Sequence, residues 1–368
     1  MMLIRKLIAV LAVLLACGMA AQGAEDVSAQ IETIREKHKL PALAVAAMKD
    51  GKLVAIGAMG LRRLGGEERV TVEDQWHLGS CTKSMTASVA AMLVERGKIE
   101  WSSTVGEVLA ELRPSMDAAW RGVTLEQLLS HRAGAPGDAP ADLWAEACKR
   151  QGTPGEQRLA FVRGLLQRPP ESVPGSQFVY SNQGYSIAGV MLETVTGEAW
   201  ESLMGKMLFT PLGLKSAGFG AAGVAEKVDQ PWGHSGLTPV PPGPLADNPA
   251  AIAPGGVVHM SIGDFARYAA WHAGGARLLA ARSFTKLHTP LAGQDYALGW
   301  RVLERPWAGG AALMHNGTNT MNYAVMWLSP KRHFAVVAAC NVAGKDAEEA
   351  CDEAVAALIQ RAIAEKKL

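Results

Sequence analysis

Ser80 and Lys83 stand three residues apart in Ser80-Cys81-Thr82-Lys83, at the head of a helical pattern. That spacing places a hydroxyl and an amine one turn apart on the same face. A serine hydroxyl is a weak nucleophile until a base takes its proton. Lysine serves as that base only when desolvation or a neighbouring cation lowers its pKa from about 10.4. At a helix start the backbone N–H of Ser80 lacks an intrahelical partner and can face a developing oxyanion. Far downstream, an extended Tyr180-Ser181-Asn182 would point its phenol and amide the same way. A phenol hydrogen-bonded to Lys83 can relay a proton, and the Asn182 amide can hold both Lys83 and a substrate carbonyl. Asn182 is also a candidate cap for a helix starting near Gln183. Further on comes His315-Asn316-Gly317. On a strand, His315 and Gly317 share a side, Gly317 leaves room for a ligand to approach, and the N–H of Thr318 is a second oxyanion donor. Each word alone has an ordinary reading: a helix, a packed tyrosine, a satisfied histidine. In this order they describe one acylating-serine site. Cys81 projects about 100° around the helix from Ser80 and reads as core.

The elements that carry these words follow from periodicity. Ile31, Ile34 and Leu40 mark an N-terminal helix closed by Pro41. Ala42–Met48 and Leu53–Gly57 read as strands joined by an Asp50-Gly51 turn. Tyr296–Leu303, Asn322–Leu328 and Phe334–Cys340 are expected strands, and Cys351, Val355, Leu358, Ile359 and Ile363 a closing helix. Between them the chain is mostly helical. Ser84–Arg96 stops at Gly97, Thr124 and Gln127 form a capping box, Gln183–Thr196 stops at Gly197, and Ile262–His272 ends at Gly274-Gly275. The Pro/Gly-rich stretch Thr238–Gly256 is expected as a long ordered loop near the cleft.

Composition sets the compartment and excludes some partners. The formal charge of +1 over 368 residues offers nucleic acid or an anionic membrane no electrostatic attraction. Arg5 and Lys6, the apolar Leu7–Ala16 and the small residues after it form an export signal over residues 1–23. The alternative is a lipid anchor at Cys17. Either leaves the mature protein outside the cytoplasm, with no transmembrane span after signal removal. Of the remaining cysteines, Cys340 and Cys351 are close enough in sequence to pair. Small buried thiols are the other expectation for Cys81, Cys148, Cys340 and Cys351.

With their flanks, the three words resemble the serine β-lactamase and penicillin-binding-protein superfamily in its class C-like branch. Val123–Gly134, Pro211-Leu212-Gly213-Leu214, Gly255-Gly256 with Ser261–Asp264, and Tyr296–Trp300 extend the resemblance over most of the chain from about Ala29. It implies an α/β sandwich of the β-lactamase/transpeptidase type. A terminal α/β lobe, about 24–79 and 288–368, would hold an antiparallel sheet flanked by helices. A mostly helical lobe, about 80–287, would be inserted into it. The resemblance also implies Ser80 as nucleophile, Lys83 and Tyr180 as proton-transfer pair, and Asn182, His315, Gly317 and Thr318 as substrate-binding residues. The N–H groups of Ser80 and Thr318 would form the oxyanion hole. No metal or organic cofactor is implied, and the partner is a small-molecule or peptide substrate.

The third word departs from the Lys-Thr-Gly usual in class C β-lactamases. A histidine near pKa 6.5 is largely neutral at pH 7 and attracts an anionic substrate less than lysine does. That favours the esterase, D,D-carboxypeptidase and D-aminopeptidase relatives over a true class C β-lactamase. A site that binds cell-wall peptides without turnover is the remaining alternative. An α/β-hydrolase elbow is not formed, since Gly233-His234-Ser235-Gly236-Leu237 lacks its last glycine, and no zinc-hydrolase histidine spacing occurs.

Overall fold

The computed structural model describes residues 23–274, 278–365 and 368. The expected export segment, apart from Gly23, and the candidate lipid-anchor residue Cys17 lie outside the described residues. Among the described residues no helix is long and apolar enough to cross a membrane. A short strand β1 (Glu25–Asp26) is followed by α1 (Ser28–Lys37), β2 (Ala42–Lys49) and β3 (Lys52–Gly60). The chain then leaves this sheet. It passes through α2 (Thr82–Glu95), α3 (Pro154–Leu166), α4 (Asn182–Thr196) and α5 (Ile262–Gly274). It returns as β4 (Arg301–Arg305), β5 (Gly310–Thr318), β6 (Tyr323–Ser329) and β7 (Phe334–Cys340), and ends on α6 (Lys345–Ala364).

These strands form a seven-stranded sheet in the order β1-β3-β2-β7-β6-β5-β4. Every pair is antiparallel except β1 against β3, which is parallel. Its central strands are buried on both faces, so they read as unbroken apolar runs. Ala42, Ala44 and Ala46 of β2 and Ala335, Val337 and Ala339 of β7 face α5 and the rest of the larger core. Leu43, Val45, Val336 and Ala338 face α1 and α6 on the other side. The result is the expected three-layer sandwich of helices around a sheet.

Most expected elements appear within a residue or two. The Tyr296–Leu303 strand does not: β4 starts at Arg301, and Tyr296–Trp300 is a loop. The reason is a close approach, because Gly299 (φ +79°) packs where a Cβ would meet the Ser84 backbone at 2.7 Å. Thr238–Gly256 is broken into short pieces, Thr238–Val240, Pro244–Ala246, Ala250–Ile252 and Ala253–Gly256. On α6, Cys351, Val355, Leu358 and Ile359 are buried as expected, but Ile363 is exposed. All four cysteines described are free thiols. Cys340 and Cys351 lie with sulfurs 3.8 Å apart in the core between β7 and α6, whereas Cys148 is exposed and not the buried thiol expected.

One buried charge ties the helical region to the segment that reaches the cleft. Arg158 on α3 is fully buried, with Glu193 at 2.7 Å, Glu201 at 3.1 Å and the Ala250 carbonyl at 2.9 Å. Removing one partner of such a set strands the others without compensation. We expect Arg158→Ala to cost about 3–5 kcal/mol in urea unfolding. A loss below ~1 kcal/mol would show that the carboxylates are solvated without it.

Candidate active site

The strand Gln75–His77 runs straight into a 3₁₀ turn, Gly79–Cys81, which leads into α2. The turn is pinned from several sides. Leu78 donates to Val258 O at 2.8 Å, and Gly79 N donates to His77 Nδ1 at 3.1 Å. His77 Nε2 in turn donates to Asp247 Oδ1 at 2.7 Å. Against the turn lies the end of β5, and the fit is too close for side chains. A Cβ on Gly79 would overlap Thr318 N, and one on Gly317 would overlap Leu78 O and Ser80 N. Gly79 also has φ +48°, which costs a β-carbon-bearing residue further. Gly317 therefore does something other than the ligand approach expected of it. It lets the turn bearing Ser80 touch the strand bearing Thr318, which brings the two oxyanion-donor candidates close together. Cys81, one residue on, is buried, and burial raises its thiol pKa; it points to His315 O and takes no part.

Lys83 is fully buried. Its Nζ lies 3.0 Å from Ser80 Oγ, 2.6 Å from Asn182 Oδ1 and 2.8 Å from Gly255 O. Two of these partners only accept. The two N–H bonds of a neutral amine are therefore taken by Asn182 and Gly255, and its lone pair is left for the Ser80 hydroxyl. Burial lowers the Lys83 pKa to about 7, and no carboxylate stands among its causes to restore it. The rings of Tyr180 and Tyr185, with centroids 4.7 and 5.4 Å from Nζ, favour the charged form only weakly. The neutral amine is therefore accessible near neutral pH.

Tyr180 does reach the nucleophile, though not as expected. Its ring lies 4.7 Å from Lys83 Nζ, and Ser80 is the neighbour that acts on its hydroxyl. Desolvation raises the phenol pKa, so Tyr180 is neutral and Lys83 is the better candidate for a base. Asn182 is the first residue of α4, and the cap is Ser181, whose Oγ accepts from Gly184 N at 3.1 Å. Capping by the neighbouring residue leaves the Asn182 amide for Lys83.

His315 is neutral, as expected, and its ring is held by protein groups. It is buried, its Nδ1 donates to Asn316 O at 2.6 Å, and its Nε2 accepts from Tyr296 OH at 3.0 Å. Desolvation, helped by the Lys83 charge, depresses its pKa to about 3, so the ring is neutral and both nitrogens are occupied. It supports Tyr296 and does not present a cation. A second buried histidine, His131, accepts from Ser181 N at 3.1 Å and lies with its ring 4.3 Å from that of Tyr180. Sequence reasoning gave no role to His131, Gly255 or Gly79, although Gly255 and His131 fall in segments that carried the resemblance.

Two cavities open at the site, one walled by Ser80 and the other by Tyr180. One, of about 380 Å³, is lined by Ser80, Asn182 and Thr318 together with Asp138, Trp144 and Ile252. The other, about 240 Å³, is lined by Tyr180, His315, Tyr296, Phe178 and Arg301. The stretch Thr238–Gly256, expected near the cleft, lines the first through Asn248, Ile252, Gly255 and Gly256, and Gly137–Ala139 and Trp144 line it from another segment.

Comparison with known proteins gives the same family as these residues do. Residues 27–360 match the family model described as Beta-lactamase. Penicillin-binding protein 4 of Amycolatopsis lactamdurans is 27% identical over 320 residues, covering 82% of this chain and 81% of that protein. The chain spans less than two thirds of the length of several other curated relatives. A D-stereospecific amidohydrolase from Streptomyces sp. superposes with a TM-score of 0.70 at 20% identity, covering 89% of this chain and 98% of that one. A class C β-lactamase superposes with a TM-score of 0.72 at 19% identity, covering 87% and 92%. At those identities the two structures show the fold alone.

Two expectations follow from the geometry. Gly317→Ala must push the Ser80 turn from β5, so kcat/KM should fall by about 10²-fold, the worth of one oxyanion donor. Near-normal activity in a folded Gly317→Ala protein would refute the role given to this contact. With neutral Lys83 as base, kcat/KM should rise with pH as Lys83 loses its proton, levelling above a pKa of about 7. A profile flat between pH 5 and 9 would exclude Lys83 as the titrating base.

Proposed function

The chain belongs to the β-lactamase family, and on that premise we propose that it is an exported serine hydrolase that cleaves ester, amide or D-amino-acid peptide carbonyls through an acyl-enzyme. The observation that carries this reading is Lys83 Nζ, 3.0 Å from Ser80 Oγ with its lone pair left for that hydroxyl and its pKa near 7. Neutral Lys83 takes the Ser80 proton as Oγ bonds to the carbonyl carbon. The negative charge collects on the carbonyl oxygen between the N–H groups of Ser80 and Thr318. As the intermediate collapses, the bond to the leaving oxygen or nitrogen breaks. Tyr180 gives that atom a proton, and the Lys83 ammonium returns one to the phenolate across the solvent-open cleft. Water then repeats the sequence on the acyl-enzyme, with Lys83 as base, and releases the acid.

Substrate class follows from the charges around the cleft. Because His315 is neutral and engaged, the third word supplies no cation, which argues against efficient β-lactam hydrolysis. Arg301, half-exposed in the cavity beside Tyr180 and only 3.8 Å from Asp295, is the cation available on that side. A leaving group with a carboxylate, as in a short peptide, suits it better than a bulky neutral alcohol does.

A fluorophosphonate should label the wild-type protein and leave Ser80→Ala unlabelled, while Lys83→Ala should lose about 10²–10⁴-fold in turnover. On a panel of p-nitrophenyl esters, D-alanyl peptides and a chromogenic cephalosporin, the first two classes should outrun the third. Absence of any adduct at Ser80 would exclude the acyl-enzyme.

A further inference from the structure

The two cavities at the site carry opposite charges. The oxyanion donors Ser80 and Thr318 wall the larger cavity, so the acyl part of a substrate lies there. Tyr180, the proton donor, walls the smaller one, so the leaving group departs that way. The ionisable side chain that lines the larger cavity together with Ser80 is Asp138. It is exposed to the cavity and, among the described residues, has neither a hydrogen bond nor an ion pair. No cation of the loop neutralises it. Arg168, which reaches this loop, is held by Asp142 at 3.0 Å. Glu171 adds a second carboxylate at the rim, accepting from Gly137 N at 2.9 Å. The Trp144 ring, about one third exposed, and Ile252 give the same cavity apolar walls. Its volume, about 380 Å³, lies at the small end of ligand sites.

We propose that this cavity selects an acyl group bearing a cation, with Asp138 taking the free α-ammonium of an aminoacyl amide, ester or short peptide. The proposal deepens the acyl-enzyme reading and rests on it. An unpaired carboxylate beside an aromatic face, with the rest of the lining uncharged, is complementary to an ammonium and repels an acyl carboxylate. With Arg301 on the leaving side, the cleft matches a short zwitterionic peptide: amine at one end, carboxylate at the other. Asp138 is then a specificity residue and not part of the proton-transfer set.

The test compares matched substrates. Kinetics with D-alanine p-nitroanilide and N-acetyl-D-alanine p-nitroanilide, in both enantiomers and beside p-nitrophenyl acetate, give the ratio of kcat/KM with and without a free amine. In the wild-type protein we expect the free amine to be preferred by about tenfold or more, the worth of a charge-assisted hydrogen bond. In Asp138→Asn the ratio should fall to about two or less, and in Asp138→Lys the N-acetyl substrate should be preferred. The ratio cancels the Lys83 limb, so the wild-type preference should fade as the α-amine itself deprotonates, above a pH of about 8. Equal or faster turnover of the N-acetyl substrate, or a ratio unmoved by Asp138→Asn, overturns the proposal. If p-nitrophenyl acetate alone is turned over and Ser80→Ala abolishes it, the proposal fails while the acyl-enzyme reading stands. If nothing is turned over and Ser80 takes no label, both fail.

Discussion

The contact between two glycines and two backbones, Gly79 against Thr318 N and Gly317 against Ser80 N, is what the rest of the site depends on. An oxyanion hole needs two N–H groups aimed at one point, and here they belong to segments more than two hundred residues apart. No side chain can bridge them without adding the width of a β-carbon. The sheet supplies one fixed wall, since Gly317 and Thr318 at the end of β5 are paired with Ala324 and Tyr323 of β6. A separate antiparallel pairing supplies the other, since the strand Gln75–His77 lies against the strand Val258–Ser261 and delivers the turn at Gly79. Both walls belong to the packed core, so the spacing of the donors is set by folding and not by substrate.

The same core sets the chemistry of Lys83. A fully buried ammonium without a carboxylate is costly, and the protein resolves the cost by shifting the pKa toward neutrality. Three acceptors around Nζ satisfy the charged form; two of them cannot donate, and they leave the neutral form a single direction for its lone pair. The base is thus aimed in either protonation state without moving. Gly255 O, one of the aiming groups, belongs to the Ala250–Gly256 segment, whose start is held by the buried Arg158 through Ala250 O. An ion-pair set deep in the helical region therefore reaches the catalytic amine through one short stretch of backbone.

The nucleophile, the base, the phenol and the amide were legible in the sequence because each is a side chain at a fixed local spacing. Helix boundaries were legible for the same reason: Thr124 with Gln127, and Gly197 after Thr196, act through neighbours in the chain. What escaped was set by residues distant in sequence. The roles of Gly317 and Gly79 depend on each other's backbone. The loop at Tyr296–Trp300 hides behind a strand-like composition, because the deciding contact is Gly299 on Ser84. Asn182 looked like a cap because capping residues resemble one another, and only the Ser181 Oγ–Gly184 N bond decides between adjacent candidates. Backbone acceptors such as Gly255 O have no signature in residue type at all.

His315 shows how an electrostatic argument survives when its geometry changes. A histidine at this place was expected to be largely neutral at pH 7 and to attract an anionic substrate less than lysine does. Burial and the nearby Lys83 make it no cation at all, and both its nitrogens serve Tyr296 and Asn316. A charged ring here would raise the cost of protonating Lys83 and push its pKa lower still. Keeping His315 neutral holds Lys83 near the pH at which it must both accept and return a proton. The positive charge that the third word gives up has a counterpart at Arg301, near enough to solvent to meet a substrate and separated from Lys83 by the aromatic wall of Tyr180 and Tyr296. Dividing the two tasks between two residues lets the base be tuned by burial while substrate attraction is set independently at the rim.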